Sequence, residues 1–197
     1  MLPTAGSSTA ELGAFYFDLR SPEAYLAAER VLQVLPVRAE WIPVRSAELP
    51  GADSLEGFRC ETDRLAYLDR VSARAAALGL QPMRWPEPFP FESELAQRAA
   101  TYAKQIGRTV AFALAAFRQA FAGGRDLGVA DNVLIAASAC EMHPSAVLKG
   151  VDLRGTVDAL DRATALAIRR GVRDVPAVWL PDGRVIHGEA ALETVAT

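Results

Sequence analysis

The stretch Phe15-Tyr16-Phe17-Asp18-Leu19-Arg20-Ser21-Pro22-Glu23-Ala24-Tyr25-Leu26-Ala27 decides the fold. From Ala14 to Leu19 it is short, aromatic-rich and nearly continuous in apolar character, which predicts a buried strand rather than an amphipathic helix. Ser21-Pro22-Glu23 then reads as a helix start: a capping hydroxyl, a proline where no backbone N–H is needed, and an acid in the first turn. Tyr25, Ala28, Leu32 and Leu35 recur at helical spacing up to Pro36. Val37 to Val44 predicts a second strand, with Pro43 marking its end or an edge. The opening is β-α-β, and a right-handed crossover makes its two strands parallel.

The other end of the chain returns to strands. Leu153 to Arg170 is amphipathic, has a basic last turn and stops at Gly171, which predicts a long helix. Val175 to Leu180 and Arg184 to His187 flank Pro181-Asp182-Gly183, a hairpin signature that requires antiparallel strands. Glu189 to Val195 predicts a short closing helix. Between the two ends, Cys60 to Leu78, Ser93 to Ile106, Thr109 to Phe121 and Asn132 to Cys140 predict a lobe of about four helices, punctuated by glycines and the proline-rich Pro82 to Pro90. Residues 13–58 and 151–197 are therefore expected to form one α/β unit, 59–150 an inserted helical lobe, and 1–12 a flexible leader. The strands from Ala14 and Ala177 are expected to be neighbours, which brings Ser21 against Val175-Pro176 although most of the chain lies between them.

Composition narrows the functions open to such a fold. With 51% apolar and 23% charged residues over 197 positions, the chain has the make-up of a folded domain with one core. Lys+Arg 21 against Asp+Glu 24 leaves a net charge of -3, so no summed positive field exists to hold a phosphate backbone, and nucleic acid is not an expected partner. No uncharged apolar stretch approaches the ~18 residues that cross a bilayer, so no membrane association and a cytoplasmic location are expected. Cys60 and Cys140 are too few and too far apart for a disulfide framework, and both are expected to be reduced, buried core thiols. Cys140-Glu141-Met142-His143 places a thiol and an imidazole within one turn but lacks further ligands, so no metal site is expected. His187 reads as a solvent-facing edge-strand histidine, with general-base duty as its functional alternative. Trp85, Phe89 and Phe91 read as packing residues, with an aromatic substrate pocket as the alternative.

The decisive stretch resembles the F-Y-F-D-x-x-S-P-Y-x-Y-L-A opening of the thioredoxin-like family that contains the 2-hydroxychromene-2-carboxylate isomerases and the kappa-class glutathione transferases. These are similar in turn to DsbA-like oxidoreductases, which carry a helical insertion in the same place. Gly171-Val172-x-x-Val175-Pro176-Ala177 resembles their G-V-x-G-V-P-T motif. The resemblance implies a thioredoxin-like α/β fold (β-α-β, then α-β-β-α) with an all-helical insertion, and a cis peptide at Val175-Pro176. It also suggests a homodimer.

That resemblance further implies glutathione as cofactor and isomerase or transferase chemistry on a small aromatic or unsaturated substrate. Ser21 stands where redox relatives keep a nucleophilic cysteine at a helix N-terminus. A serine cannot form a disulfide, but its hydroxyl can donate to a thiolate that glutathione brings, so Ser21 is the expected catalytic residue. Val175 and Pro176 are the expected partners of the cysteinyl part, Gly188 and Glu189 of the γ-glutamyl part, and Arg45 of a carboxylate. Three positions depart from the family pattern. Glu23 replaces a tyrosine, Gly188-Glu189-Ala190-Ala191 lacks the clamp's aspartate, and Arg45 to Gly57 lacks a Gly-rich, Asn-bearing loop. They define the alternative, a redox-inactive DsbA-like binding protein that has lost glutathione chemistry.

Overall fold

The computed structural model describes residues 12–35, 38–51 and 58–194. All but Leu12 of the expected leader, the Pro36 helix stop and residues 52–57 of the loop from Arg45 to Gly57 lie outside them. Four strands form one mixed sheet: β1 (Gly13–Phe17), β2 (Ala39–Pro43), β3 (Ala177–Trp179) and β4 (Val185–His187), in the order β2-β1-β3-β4. β1 pairs with β2 in parallel, Gly13 opposite Ala39 and Phe17 opposite Pro43. It pairs with β3 antiparallel, Tyr16 opposite Ala177, and β3 pairs antiparallel with β4. The expected parallel crossover, hairpin and β1–β3 neighbourhood are all present, and the insertion leaves the sheet intact.

β1 is apolar at every position because both its faces are covered. Phe15 and Phe17 point into one core with Trp41, while Ala14 and Tyr16 point into a second with Ile42, Ala177 and Val175. The first core is continuous with the helical lobe: Phe117 lies 5.8 Å from Phe17 and 6.2 Å from Tyr25, and Phe121 lies 5.7 Å from Tyr25, ring centre to ring centre. Trp85, Phe89 and Phe91 pack onto Phe121 from the proline-rich connection. They belong to this aromatic core.

The helices are α1 (Pro22–Ala28), α2 (Val31–Val34), α3 (Glu61–Ala77), α4 (Glu94–Gln105), α5 (Thr109–Phe121), α6 (Ala130–Ser138), α7 (Pro144–Val151) and α8 (Arg154–Arg169), with 3-10 turns at Ser46–Glu48 and Ala190–Thr194. Three expectations need correction. The first helix does not run through to Leu35: it breaks at Glu29–Arg30, where Arg30 N–H bonds back to Ala27 and the Arg30 side chain turns to Glu189 and Glu193. Leu32 is left 63% exposed. The lobe holds a further helix, α7, started by His143 as N-cap and Pro144 at its first position. Val147, Gly150 and Val151 face inward, and a Cβ on Gly150 would lie 2.5 Å from the Tyr102 ring, so only glycine lets α7 pack on α4. Cys60 is exposed, not buried, because it is the N-cap of α3 rather than part of its packed face. Cys140 is buried. Among the described residues no helix is long and apolar enough to cross a membrane.

Candidate active site at the carboxyl end of the sheet

The register of the sheet collects four segments at one end. β1 leaves the sheet after Phe17, and β3 enters opposite it from Val175-Pro176. Gly188, directly after β4, donates its N–H to the Pro176 carbonyl at 2.9 Å. Pro43 ends β2 beside Phe17 and leads to Arg45 and Ser46. The Val175-Pro176 peptide is cis.

Ser21 caps α1: it has extended backbone angles and its Oγ accepts from the Ala24 N–H at 3.1 Å. The cap uses an oxygen lone pair and not the hydroxyl proton. The preceding turn is fixed by Asp18, whose carboxylate accepts from Arg20 N–H at 3.1 Å, Ser46 N–H at 2.9 Å and the Ser46 hydroxyl at 2.8 Å. Ser21 is thus held at a helix N-terminus by buried polar bonds on both sides.

Beside it, a cavity of about 480 Å³ is lined by Glu23 and Leu26 of α1, Arg70, Val71 and Arg74 of α3, and the run His187 to Ala191. That volume lies within the range of small-molecule sites. Glu23 is half-buried in this wall, 3.7 Å from Arg70. Burial raises its pKa, Arg70 opposes that, and the Asp174 and Glu189 carboxylates add to it. His187 also lines the cavity: its Nε2 accepts from the Arg173 N–H at 3.0 Å, and burial lowers its pKa. It is a positioned, half-buried ring rather than a solvent-facing one.

Of the residues expected from sequence, Ser21, Val175, Pro176, Gly188 and Glu189 lie at this end of the sheet, and of these Gly188 and Glu189 line the cavity. Val175 is buried, and its N–H is held by the Asp174 carboxylate at 2.7 Å. Glu189 is buried and bridged by Arg30 and by Arg74, the latter at 2.8 and 3.1 Å, so its charge is matched from α3 and from the break after α1. Arg45 does not line the cavity. Its guanidinium is gripped by Glu94 at 2.7 and 2.9 Å and by Asp161, with Glu48 at 3.6 Å, and the Glu94 and Asp161 carboxylates raise its pKa further. It ties β2 to α4 and α8.

Sequence reading missed Arg70 and Arg74, which with Val71 are the contribution of the helical lobe to the cavity. Leu65 shares the three- and four-residue apolar spacing of Leu68, Val71 and Ala75 on α3, yet Leu65 is 49% exposed and Tyr67 is buried. The signal was present: Tyr67, Arg70, Val71 and Arg74 succeed one another at three- and four-residue steps and so share one stripe.

A cis-proline loop facing a capped helix start across a β-α-β/β-β sheet, with a helical insertion roofing the cleft, defines a thioredoxin-fold protein of the helically inserted kind. The chain belongs to the DSBA-like thioredoxin domain family, whose sequence pattern matches residues 14–197. Among solved structures it is similar to a 2-hydroxychromene-2-carboxylate isomerase, with TM-score 0.80 and 20% identity over 94% of this chain and 92% of that one. It is also similar to a protein described as a probable DsbA oxidoreductase from Streptomyces coelicolor, with TM-score 0.75 and 20% identity over 93% and 86%. The cytosolic disulfide reductase DsbM from Pseudomonas aeruginosa, solved with GSH, aligns with TM-score 0.63 and 12% identity over 94% of each chain. No curated protein sequence matches the chain.

Proposed function

We propose that this protein is a glutathione-dependent isomerase or transferase acting on a small aromatic or unsaturated compound. The observation that carries the reading is a serine, not a cysteine, capping α1 at the sheet end where the cis Val175-Pro176 loop arrives. Thiol–disulfide exchange needs a thiol at that position, so any sulfur chemistry here uses sulfur supplied by a bound molecule. The described residues fit such a molecule. The cavity has an apolar wall from Leu26 and Val71, cations at Arg70 and Arg74, and Gly188, where a side chain would meet nothing within 4 Å.

When bound, glutathione supplies a thiolate that can add to a conjugated double bond, free the rotation about it, and leave again or remain. The residues of the chain do the rest. The Ser21 hydroxyl donates to the sulfur, in the positive field of the α1 N-terminus. Val175 and Pro176 orient the cysteinyl part. The Gly188–Ala191 turn accepts the γ-glutamyl end, with Glu189 kept in place by Arg30 and Arg74. The likeness to the isomerase and to the GSH-bound reductase supports this reading through the fold.

Isothermal titration of the full chain with glutathione tests it. Heat and a thermal upshift at millimolar ligand are expected. Their absence overturns the cofactor assignment and leaves a fold that has lost glutathione chemistry.

A further inference from the structure

The cavity wall carries two pairs of opposite charges, and they are not equally satisfied. Arg74 and Glu189 are saturated: Arg74 donates to both Glu189 oxygens at 2.8 and 3.1 Å and to Glu193 at 2.8 Å, and Arg30 holds Glu189 from the other side. Glu23 and Arg70 are not. Their charged atoms lie 3.7 Å apart, inside ion-pair range but too far for a hydrogen bond, and neither charged end has a closer partner among the described residues. Both residues line the cavity, and both side chains are accessible there, 36% exposed for Glu23 and 67% for Arg70.

Arg70 is nevertheless no loose surface cation. Its guanidinium lies 5.0 Å over the ring of Tyr67, a buried residue that Phe58 packs at 5.3 Å. Stacking on a seated ring fixes the plane of the fork and leaves its N–H groups to donate within that plane. Glu23 is set opposite by α1, one turn before Leu26, which also lines the cavity. An open donor fork and an open carboxylate thus stand side by side on two facing helices.

We propose that Glu23 and Arg70 form a receptor for an α-amino-acid head group, Glu23 accepting from its ammonium and Arg70 donating to its carboxylate. Charge decides the class. A lone carboxylate on Arg70 would sit against Glu23, and a lone ammonium on Glu23 would sit against Arg70. A zwitterion brings each side chain its opposite and adds no net charge to a cavity whose other acid and base are already matched. It also replaces one long contact by hydrogen bonds between charged partners, the stronger kind. Leu26 and Val71 then flank the carbon chain behind the head. The γ-glutamyl end of glutathione carries such a head, and so does a free amino acid. The inference rests on the cavity being the ligand site proposed above, and not on Ser21 or on sulfur.

Isothermal titration of the full chain tests it with two amino-acid heads, L-glutamine and the thiol-free γ-glutamyl-alanyl-glycine, and with their deaminated forms, glutaramate and glutaryl-alanyl-glycine. The wild-type protein is expected to bind an amino-acid head about tenfold more tightly than its deaminated form, which brings a carboxylate without the ammonium that answers Glu23. Glu23→Gln is expected to erase that preference. Arg70→Met is expected to weaken the amino-acid head about tenfold, with part of the affinity recovered in Arg70→Lys, which keeps the charge but not the fork. None of these variants should melt lower near neutrality, since so open a pair adds little to stability. No binding of either amino-acid head at millimolar concentration, equal binding of the deaminated forms, a preference that survives Glu23→Gln, or unchanged binding by Arg70→Met overturns the receptor. Tighter binding of the peptide than of L-glutamine makes the glutathione end the occupant, and equal binding makes it a free amino acid. Glutathione calorimetry separates the two readings: a Glu23-dependent preference for L-glutamine without glutathione heat upholds the receptor and removes the cofactor. Glutathione heat unaltered in Glu23→Gln and Arg70→Met removes the receptor alone.

Discussion

The side-chain amide of Gln97 donates to the Val44 carbonyl at 2.6 Å and to the Phe17 carbonyl at 3.1 Å, while its oxygen accepts from the Leu19 N–H at 3.1 Å. One fully buried residue of α4 thereby satisfies backbone groups where both parallel strands end, just before the turn that carries Ser21. Replacing Gln97 by leucine, of similar size, strands the Val44 carbonyl and the Leu19 N–H in the core, while the Phe17 carbonyl keeps the Val44 N–H at 3.0 Å. A loss of about 2–4 kcal/mol is expected in urea unfolding. A change within experimental error would mean that other groups or water can reach these positions.

Ser21→Ala separates the cap from the chemistry. Loss of the Oγ bond to Ala24 should cost ~1 kcal/mol of stability. The bound glutathione thiol should become harder to ionise by about one pH unit, the worth of one hydrogen bond to its charged form. Ultraviolet titration of the thiolate band in the complex measures this. An unaltered thiol with the same small stability loss would reduce Ser21 to a cap.

Glu189→Ala tests the bridge between α3 and the turn after β4. The side chain of Glu189 is only 5% exposed and that of Arg30 18%, so the substitution leaves a largely buried guanidinium with only the exposed Glu193. A loss of roughly 1–3 kcal/mol is expected, together with earlier proteolytic cleavage within α3. Wild-type resistance to both would show that the lobe is held by its apolar core alone.

His187 gives the stability an acid-side slope. Its Nε2 accepts from Arg173, so the folded state holds the neutral ring, and burial depresses its pKa. The unfolded chain binds the proton more readily, so stability is present above the ordinary histidine range and is lost as pH falls through it, from about pH 7 toward 5. Glu23 acts in the opposite sense: burial raises its pKa, so the folded state takes up a proton first, and stability is lost as pH rises above the ordinary carboxylate range. Thermal melts of His187→Gln across this range are expected to lose the acid-side decline. Glu23→Gln should melt higher than wild type near neutrality. Identical pH profiles in all three proteins would contradict both assignments.

Much of the fold was legible because its signals are local. A capping serine before a proline marked α1, Asp182-Gly183 marked the β3–β4 hairpin, and the two cis-proline-loop and helix-start motifs met as expected at one end of the sheet. The misreadings share a different cause. α1 breaks at Arg30 because Glu189 and Glu193 lie within its reach, and Arg45 is withdrawn from the cleft by Glu94 and Asp161. Such pairings join segments remote in sequence, and no spacing rule encodes them. On α3, Leu68, Val71 and Ala75 are buried at their apolar spacing, but Tyr67 takes the buried place at the start of the helix and Leu65 is left exposed, because hydrophobicity alone does not favour a leucine over a tyrosine there.

The central strand β1 finds β3, its partner on one side, only near the other end of the chain. The helices between them contact near neighbours, such as α5 with α6 and α6 with α7, and contacts of that kind form fastest. The lobe is therefore expected to collapse first during folding. Ser21 and the Val175-Pro176 loop can meet only after the last strands dock. A nascent chain on the ribosome carries its helical roof before it has a binding cleft, and a product cut short before Ala177 can be compact and helical yet unable to hold a ligand.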